Sequence, residues 1–135
     1  LTPHMPTSID VYRTVKTLGL ISNKLEFVGP YYKIGQKVKA GGMDLWVGVM
    51  DGDAACEKRM QKYCVQDVNL LEEVYERLLP YINNHPNIGG GAGTCSRCGS
   101  TDLQRRGWRY TKLLRIRRYK CKCCGGWEDG EREKL

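Results

Sequence analysis

The longest amphipathic pattern in the chain spans residues 60–82. At 3.6 residues per turn, apolar side chains collect on one helical face there, and charged or amide side chains collect on the other. The apolar face consists of Met60, Tyr63, Cys64, Asp67, Leu71, Val74, Tyr75, Leu78 and Ile82. The pattern predicts a long helix with this face buried, and Pro80 is expected to end or kink it near Leu79.

Asp67 is the only carboxylate on the predicted buried face. An unpaired, ionised carboxylate in that position would cost several kcal/mol in desolvation. We therefore expect Asp67 to meet a cation, a metal ion or hydrogen-bond donors, or else to hold a proton. Tyr63 lies one turn earlier on the same face.

Weaker patterns precede the long helix. Residues 2–7 are predicted to be irregular, residues 9–12 to form a short strand, and residues 13–18 and 24–28 to form helices. Pro30 is expected to interrupt the second of these helices.

Three polar residues are predicted to be helix N-caps. Ser22 precedes the helix over residues 24–28, Asp44 precedes a short helix, and Asp53 precedes the long helix. Trp46 in the short helix is expected to be buried in the protein core.

The cysteines are unevenly distributed. Five of the seven lie between Cys95 and Cys124, in two short clusters, which favours metal thiolates in a reducing compartment over disulfides. Cys56 and Cys64 stand apart and are expected to be small core residues.

Two sequences of the form C-x-x-C-G carry the metal prediction. Cys95 and Cys98 form the first pair, and Cys121 and Cys124 form the second after 22 intervening residues. Two such pairs at this separation predict a tetrahedral Cys₄ zinc site, and each following glycine permits the tight turn that directs backbone N–H groups at sulfur. Cys123 is out of register and is not expected to be a ligand.

Residues 103–110 and 114–120, between the two cysteine pairs, are predicted to form a β-hairpin, and residues 128–134 a mixed-charge tail. Basic and aromatic residues alternate along the hairpin, which favours contacts with phosphates and bases of single-stranded or frayed nucleic acid. The alternative is a soluble basic surface whose aromatics pack a small core. The predicted contacts are Arg105, Arg106, Trp108, Arg109, Tyr110, Lys112, Arg115, Arg117, Arg118 and Lys120.

The formal net charge of +7 falls entirely in the last third of the chain. Residues 1–92 hold ten basic and ten acidic residues, whereas residues 93–135 hold twelve and five. A Cys₄ site with one Zn²⁺ would remove two positive units and still leave a surface that attracts polyanions. No apolar stretch is long enough to span a membrane, and no signal peptide is evident, so a soluble cytoplasmic protein is expected.

Residues 63–68, Tyr-Cys-Val-Gln-Asp-Val, contain the pattern Y-x-x-x-D. This run resembles the third motif of the DEDD 3'-5' exonucleases of ribonuclease H-like fold, in the phage and bacterial branch related to family B DNA polymerase proofreading domains. Further similarities occur in the same order, among them residues 22–25, 34–37, 75–78 and 84–87. The resemblance covers roughly residues 7–88, and a zinc ribbon follows this region in the related phage proteins.

The resemblance implies an α+β protein: residues 1–88 as the mostly helical C-terminal part of an exonuclease domain, residues 89–94 as a glycine-rich linker, and residues 95–135 as a zinc ribbon with a charged tail. It also implies that Asp67 is a ligand of Mg²⁺ or Mn²⁺ and that Tyr63 orients the attacking water in phosphodiester hydrolysis.

Two other motifs of this exonuclease family, D-x-E and an Asn followed by Phe-Asp, do not occur in residues 1–92. Two functions are therefore expected as alternatives. The chain either contributes part of a 3'-5' exonuclease site that a missing segment or a partner polypeptide completes, or it is a non-catalytic zinc-ribbon module that binds DNA or a polymerase. In the second case Asp67 would pair with a Lys or Arg.

Overall fold

A computed structural model describes residues 8–38 and 41–135. The predicted irregular residues 2–7 lie outside this part of the chain. The described residues contain helices and a three-stranded antiparallel sheet, so the predicted α+β class is confirmed. The described residues divide into two compact units, a helical unit of residues 15–38 and 41–77 and a ribbon unit of residues 8–14 and 78–135.

Four helices precede the sheet. They are α1 (Val11–Thr17), α2 (Leu25–Tyr31), α3 (Gly42–Met50) and α4 (Ala54–Leu78), and a 3₁₀ turn at Leu79–Tyr81 follows α4. The long helix and its end before Pro80 are confirmed. None of the helices in the described residues combines the length and the apolar character that crossing a membrane requires.

Helix starts depend on local hydrogen bonds. Asp53 caps α4 as predicted, because its Oδ1 accepts the N–H of Ala55 at 2.8 Å. The strand predicted over residues 9–12 is wrong: α1 begins at Val11, and Asp10 Oδ1 accepts the N–H of Arg13 at 3.4 Å. A side chain that satisfies a free N–H of the first turn favours a helix over a strand here.

The two other predicted caps are wrong. Helix α2 begins after Lys24 with no side-chain cap, and Ser22 instead lies 3.4 Å from the N–H of Lys24. Asp44 lies inside the first turn of α3, where its charge suits the helix dipole. Pro30 lies within the last turn of α2 rather than interrupting the helix earlier.

The predicted buried face of α4 is confirmed in part. Val74 and Leu78 are buried as predicted, whereas Cys64 and Leu71 are exposed, and Leu70, outside the predicted face, is buried. Leu70 packs where α2 comes close, since a Cβ added to Gly29 would lie 3.2 Å from Leu70 Cδ1. The neighbouring helix therefore decides which side chains at the edge of this face are covered.

Trp46 was predicted to be a core residue, and it is 54% exposed. Helix α3 approaches α4 through small residues, because a Cβ on Gly48 would lie 2.5 Å from Cys56 Sγ. Leu45 is buried on the covered side of α3, so the larger apolar residues of the other side face outward.

The sheet has the order β1-β2-β3, with β1 at Leu103–Tyr110, β2 at Leu114–Cys121 and β3 at Trp127–Lys134. The predicted hairpin is confirmed, but the predicted tail is wrong, since its residues form β3. Its acidic residues pair with the basic residues of β2: Arg115 Nη2 lies 2.6 Å from Glu133 Oε2 and Arg118 Nε lies 3.3 Å from Asp129 Oδ1.

The glycine-rich segment before the first cysteine pair is hydrogen bonded. Thr94 Oγ1 donates to the carbonyls of Gly89 and Gly91 at 2.9 and 2.7 Å, and the N–H of Ile88 donates to the carbonyl of Ser96 at 2.8 Å. Residues 78–88 belong to the same compact unit as the ribbon.

Candidate metal centre

The four predicted cysteine ligands lie together. The Sγ atoms of Cys95, Cys98, Cys121 and Cys124 all lie within 4.8 Å of one another, and the Cys95–Cys124 and Cys98–Cys121 pairs are 3.6 Å apart. Four sulfurs at about 2.3 Å from a zinc ion would form a tetrahedron with edges of roughly 3.8 Å. The group is compatible with one zinc ion, and Cys123 is exposed and lies outside it.

Two similar turns hold the sulfurs in place. The N–H of Gly99 donates to the carbonyl of Cys95 at 2.9 Å, and the N–H of Gly125 donates to the carbonyl of Cys121 at 3.0 Å. Both glycines have positive φ, 72° and 78°, which other residues rarely adopt.

The thiols differ in their tendency to ionise. Burial raises the pKa of Cys95 and of Cys124. Burial also opposes ionisation of Cys121, but the backbone N–H groups of Cys124 and Cys123 outweigh it and lower the pKa of Cys121 to about 7. Four thiolates in this space require a cation, and Zn²⁺ supplies the charge and the geometry that fit.

Glu128 ties the first cysteine turn to β3. Its Oε1 accepts hydrogen bonds from the N–H and the hydroxyl of Ser96, at 3.2 and 2.8 Å, and lies 3.2 Å from Arg97 Nη1. Arg97 also donates to the carbonyls of Ile82 and Trp127, at 3.1 and 3.0 Å. This connection orients the turn around Cys95, in the way outer groups orient metal ligands.

The sequence analysis did not identify Arg97 or Glu128. The spacing of the cysteines carries no information about which charged residue packs behind them. One feature of the sequence could have indicated a third strand. The acidic side chains within residues 128–133 complement the basic side chains of β2.

Tyr63 and Asp67 lie on one side of α4, with Lys37 between them. Lys37 Nζ is 3.2 Å from Asp67 Oδ2 and 5.4 Å from the centroid of the Tyr63 ring. The side chain of Tyr63, and after it that of Asp67, raises the pKa of Lys37. Asp67 therefore has a cationic partner, as expected of a partly buried carboxylate, and among the described residues it belongs to no group of three or more possible metal ligands.

The second oxygen of Asp67 has no donor. Asp67 Oδ1 and Gln66 Oε1 are both buried and have no hydrogen-bond partner within the described residues. Unsatisfied buried acceptors are uncommon in folded proteins, because each forfeits its hydration without compensation.

The predicted nucleic-acid contacts separate into two groups. In the first group the cations have partners on the sheet: Arg109 and Arg118 pair with Asp129, and Arg115 pairs with Glu133. The second group makes no ion pair within the described residues and consists of Arg105, Arg106, Lys112, Arg117 and Lys120.

The aromatic residues differ in the same way. The guanidinium carbon of Arg117 lies 3.7 Å from the centroid of the Trp108 ring, and that of Arg115 lies 4.8 Å from it. These cation–π contacts already cover the ring face on which a base would stack. Tyr110 is exposed.

Comparisons of the chain with models of protein families, with characterised proteins and with solved structures gave no match.

Proposed function

We propose that the protein binds nucleic acid through a ribbon that a zinc ion stabilises. The observation that carries the proposal is the position of the chain's positive charge. All of the net charge of +7 belongs to residues 93–135, and several cations there have no acidic partner within the described residues. A surface of this kind attracts phosphates whatever the base sequence.

The ribbon suits a single strand better than a duplex. The structure gives β1, β2 and β3 eight residues each, and they form a small sheet with an exposed aromatic ring at Tyr110. Exposed aromatic rings stack on unpaired bases, whereas bases in a duplex are already stacked.

The test is binding of the full, zinc-loaded chain to a fluorescent single-stranded DNA oligonucleotide at several salt concentrations. We expect the logarithm of affinity to fall linearly with the logarithm of salt, by about 0.7 for each phosphate contact. A matched duplex and an RNA of the same sequence measure the preference for strand and sugar. Absence of binding at low salt would refute the proposal.

A second candidate function is a part of a 3'-5' exonuclease, and α4 supplies the observation that favours it. The Y-x-x-x-D residues lie on one face of the helix, and no donor among the described residues reaches Asp67 Oδ1. On the same helix Val65, Val68 and Leu71 are exposed, as a helix would be that packs on a sheet supplied by another segment.

The residues present do not hold the two divalent ions of such a site. Asp67 is paired with Lys37, and one carboxylate binds Mg²⁺ only weakly. In this candidate function a supplied segment would have to bring the remaining carboxylates. Asp67 would then be one ligand of Mg²⁺ or Mn²⁺, which would supply Lewis-acid chemistry, and Tyr63 would orient a water.

The test is reconstitution with the segment that carries the missing motifs, in cis or as a partner. We expect divalent-metal-dependent shortening of DNA from its 3' end, which Asp67→Asn abolishes with binding nearly intact and Tyr63→Phe slows less. Melting of the same variants is the control. A large fall in melting temperature for Asp67→Asn, with no nuclease activity in any reconstituted form, would refute the catalytic role. Asp67 would then serve to stabilise the fold through its ion pair with Lys37.

A further inference from the structure

A shallow pocket of about 390 Å³ lies where β1 and β2 meet the second cysteine turn. Its walls carry three basic side chains, those of Arg106, Lys120 and Lys122, together with the amide of Gln104. Pockets of this volume are at the lower end of the range that small ligands occupy. Its lining contains no acidic side chain, so an anion is the ligand that its charge favours.

Arg106 follows Gln104 by two residues and lies beside a break in the strand pairing. Arg105 pairs with Tyr119 and Trp108 pairs with Arg117, so Arg106 and Gly107 together face a single residue of β2. Gly107 permits this bulge because its φ is 87°. Gln104 and Lys120 are direct partners in the register and therefore share one face of the sheet.

The cations of the pocket are more available than those that pair with carboxylates across the sheet. Arg106 and Lys120 make no ion pair within the described residues, and Lys122 has only an exposed pairing with Asp102 at 3.1 Å. Across the sheet, by contrast, Arg109 lies 2.6 Å from Asp129 and Arg115 lies 2.6 Å from Glu133. A phosphate would have to displace those carboxylates, whereas it displaces only water from Arg106 and Lys120.

We infer that this pocket is the phosphate site of the ribbon and holds one phosphodiester of a single-stranded nucleic acid, with Arg106 and Lys120 as its direct contacts. The inference rests on the proposed nucleic-acid binding and specifies where that binding occurs. Arg106 can offer two parallel N–H groups to one phosphate, while Lys120 acts as a point charge. The Arg115, Arg117 and Trp108 cluster then serves to hold the sheet together.

The neighbouring cysteines provide a competing role for these cations. Cys121 and Cys124 also line the pocket, and a Cys₄ site with one zinc carries two negative charges. Arg106 and Lys120 would in that case neutralise the metal centre. Neither side chain makes a hydrogen bond to a sulfur within the described residues, which favours the phosphate role.

The experiment compares two double variants of the full, zinc-loaded chain in binding to a single-stranded DNA oligonucleotide. Arg106→Ala with Lys120→Ala removes the proposed contacts. Arg132→Ala with Lys134→Ala is the matched control, because it also removes one arginine and one lysine that are exposed on the sheet and make no ion pair within the described residues. Zinc content and far-UV circular dichroism are measured on both.

We expect the first variant to lose at least about tenfold in affinity at low salt and its salt slope to fall by about 0.7, the value for one phosphate contact on a single strand. The control should lose less than about threefold. Both should retain the zinc content of the unmodified chain. Exchanging the two residues, Arg106→Lys with Lys120→Arg, preserves both charges and should restore most of the affinity.

Equal losses in the two double variants would overturn the inference and indicate a diffuse positive field. Loss of zinc from Arg106→Ala with Lys120→Ala would also overturn it, in favour of the neutralising role. Equal competition by an acidic peptide would point to a protein ligand and would likewise refute a phosphate site. Failure of the unmodified chain to bind any nucleic acid would instead refute the proposed function itself.

Discussion

The ribbon unit and the helical unit satisfy their side chains in different ways. The ribbon buries few large apolar residues, among them Ile116, yet four of its thiols lie in one cluster. Four of its acidic residues also pair with cations of the same unit: Asp102, Glu128, Asp129 and Glu133. The helical unit buries Val28, Leu45, Leu70 and Val74 but leaves a row of apolar side chains exposed on two helices. These exposed residues are Met43, Trp46, Val47 and Met50 on α3, and Val65, Val68 and Leu71 on α4.

This difference shows that local chemistry can pair the groups of one region while another keeps apolar surface exposed. A ribbon of this size cannot bury enough apolar surface to fold unaided, and the metal centre and paired charges replace the missing core. The helical unit differs, because its exposed apolar side chains would stabilise it only if another surface covered them.

The largest expected effect is that of removing the metal. Structural zinc in small domains contributes on the order of 10 kcal/mol to folding, so chelation should unfold the ribbon and leave α4 helical. Elemental analysis should find about one zinc per chain, as one Cys₄ site binds one ion. Hydrogen exchange measured on both units with and without chelator checks the prediction.

A pair of cysteine variants controls this experiment. Cys124→Ser removes a ligand and should release the zinc, whereas Cys123→Ser changes an exposed neighbour in the same turn and should retain it. Ribbon amides that stay protected in the zinc-free protein would contradict the prediction.

The sequence predicted most accurately what depends on local spacing. The cysteine pairs, the first two strands, the long helix and its Asp53 cap each follow from residues close together in the chain. The strand predicted over residues 9–12 and the caps predicted at Ser22 and Asp44 were local errors. The other errors concern contacts between distant residues. Trp46 and Cys64 are exposed because the packing of neighbouring helices decides which strip is covered, and β3 was missed because charge pairs rather than apolar alternation hold it.

The same distinction applies to the candidate sites. Four candidate ligand positions could be read from two short patterns, but the links through Arg97 and Glu128 and the bulge beside Arg106 require the register of the whole sheet. Asp67 was expected to meet a cation, a metal ion or hydrogen-bond donors, or to hold a proton. Its cationic partner Lys37 lies 30 residues earlier in the chain, too far away for helical spacing to identify it.

The core of the helical unit should be sensitive at Val74 and insensitive at Val68. Val74 is 1% exposed, so Val74→Ala should lower the free energy of unfolding by about 2 kcal/mol, as for other buried truncations. Val68→Ala on the same helix is the control, since Val68 is 62% exposed and alanine favours helices. Urea denaturation measures both. A comparable loss at Val68 would show that this strip is covered in solution and would weaken the contrast between the units.

The ribbon should be sensitive to added volume at Gly130. A Cβ there would lie 2.5 Å from Tyr119 Cε2, so Gly130→Ala must displace the ring and should cost about 1–2 kcal/mol, within the range for overpacking. Gly91→Ala in the glycine-rich segment is the matched control, because nothing lies within 4 Å of its added Cβ. Thermal melting of the zinc-loaded proteins compares the two variants. Equal melting temperatures would mean that Tyr119 does not pack on Gly130.

The smallest expected effect is that of the Lys37–Asp67 ion pair in the helical unit. Ion pairs with partly exposed side chains contribute roughly 0–1 kcal/mol. The pKa of Lys37 is raised in the folded protein, chiefly by Tyr63 and then by Asp67, so its stabilisation is fully present below the ordinary lysine pKa of about 10.4 and is lost as the pH rises through the higher folded value. Lys37→Met removes this dependence while retaining the length of the side chain. Between pH 9 and pH 11.5, chosen to bracket roughly that lysine pKa, the unmodified chain should therefore lose more stability than the variant. Measuring the difference between the two proteins cancels the titration of other lysines and tyrosines. If both lose the same amount, the pair contributes nothing to folding, and Asp67 would join the exposed apolar residues of α4 among the groups that only a partner can satisfy.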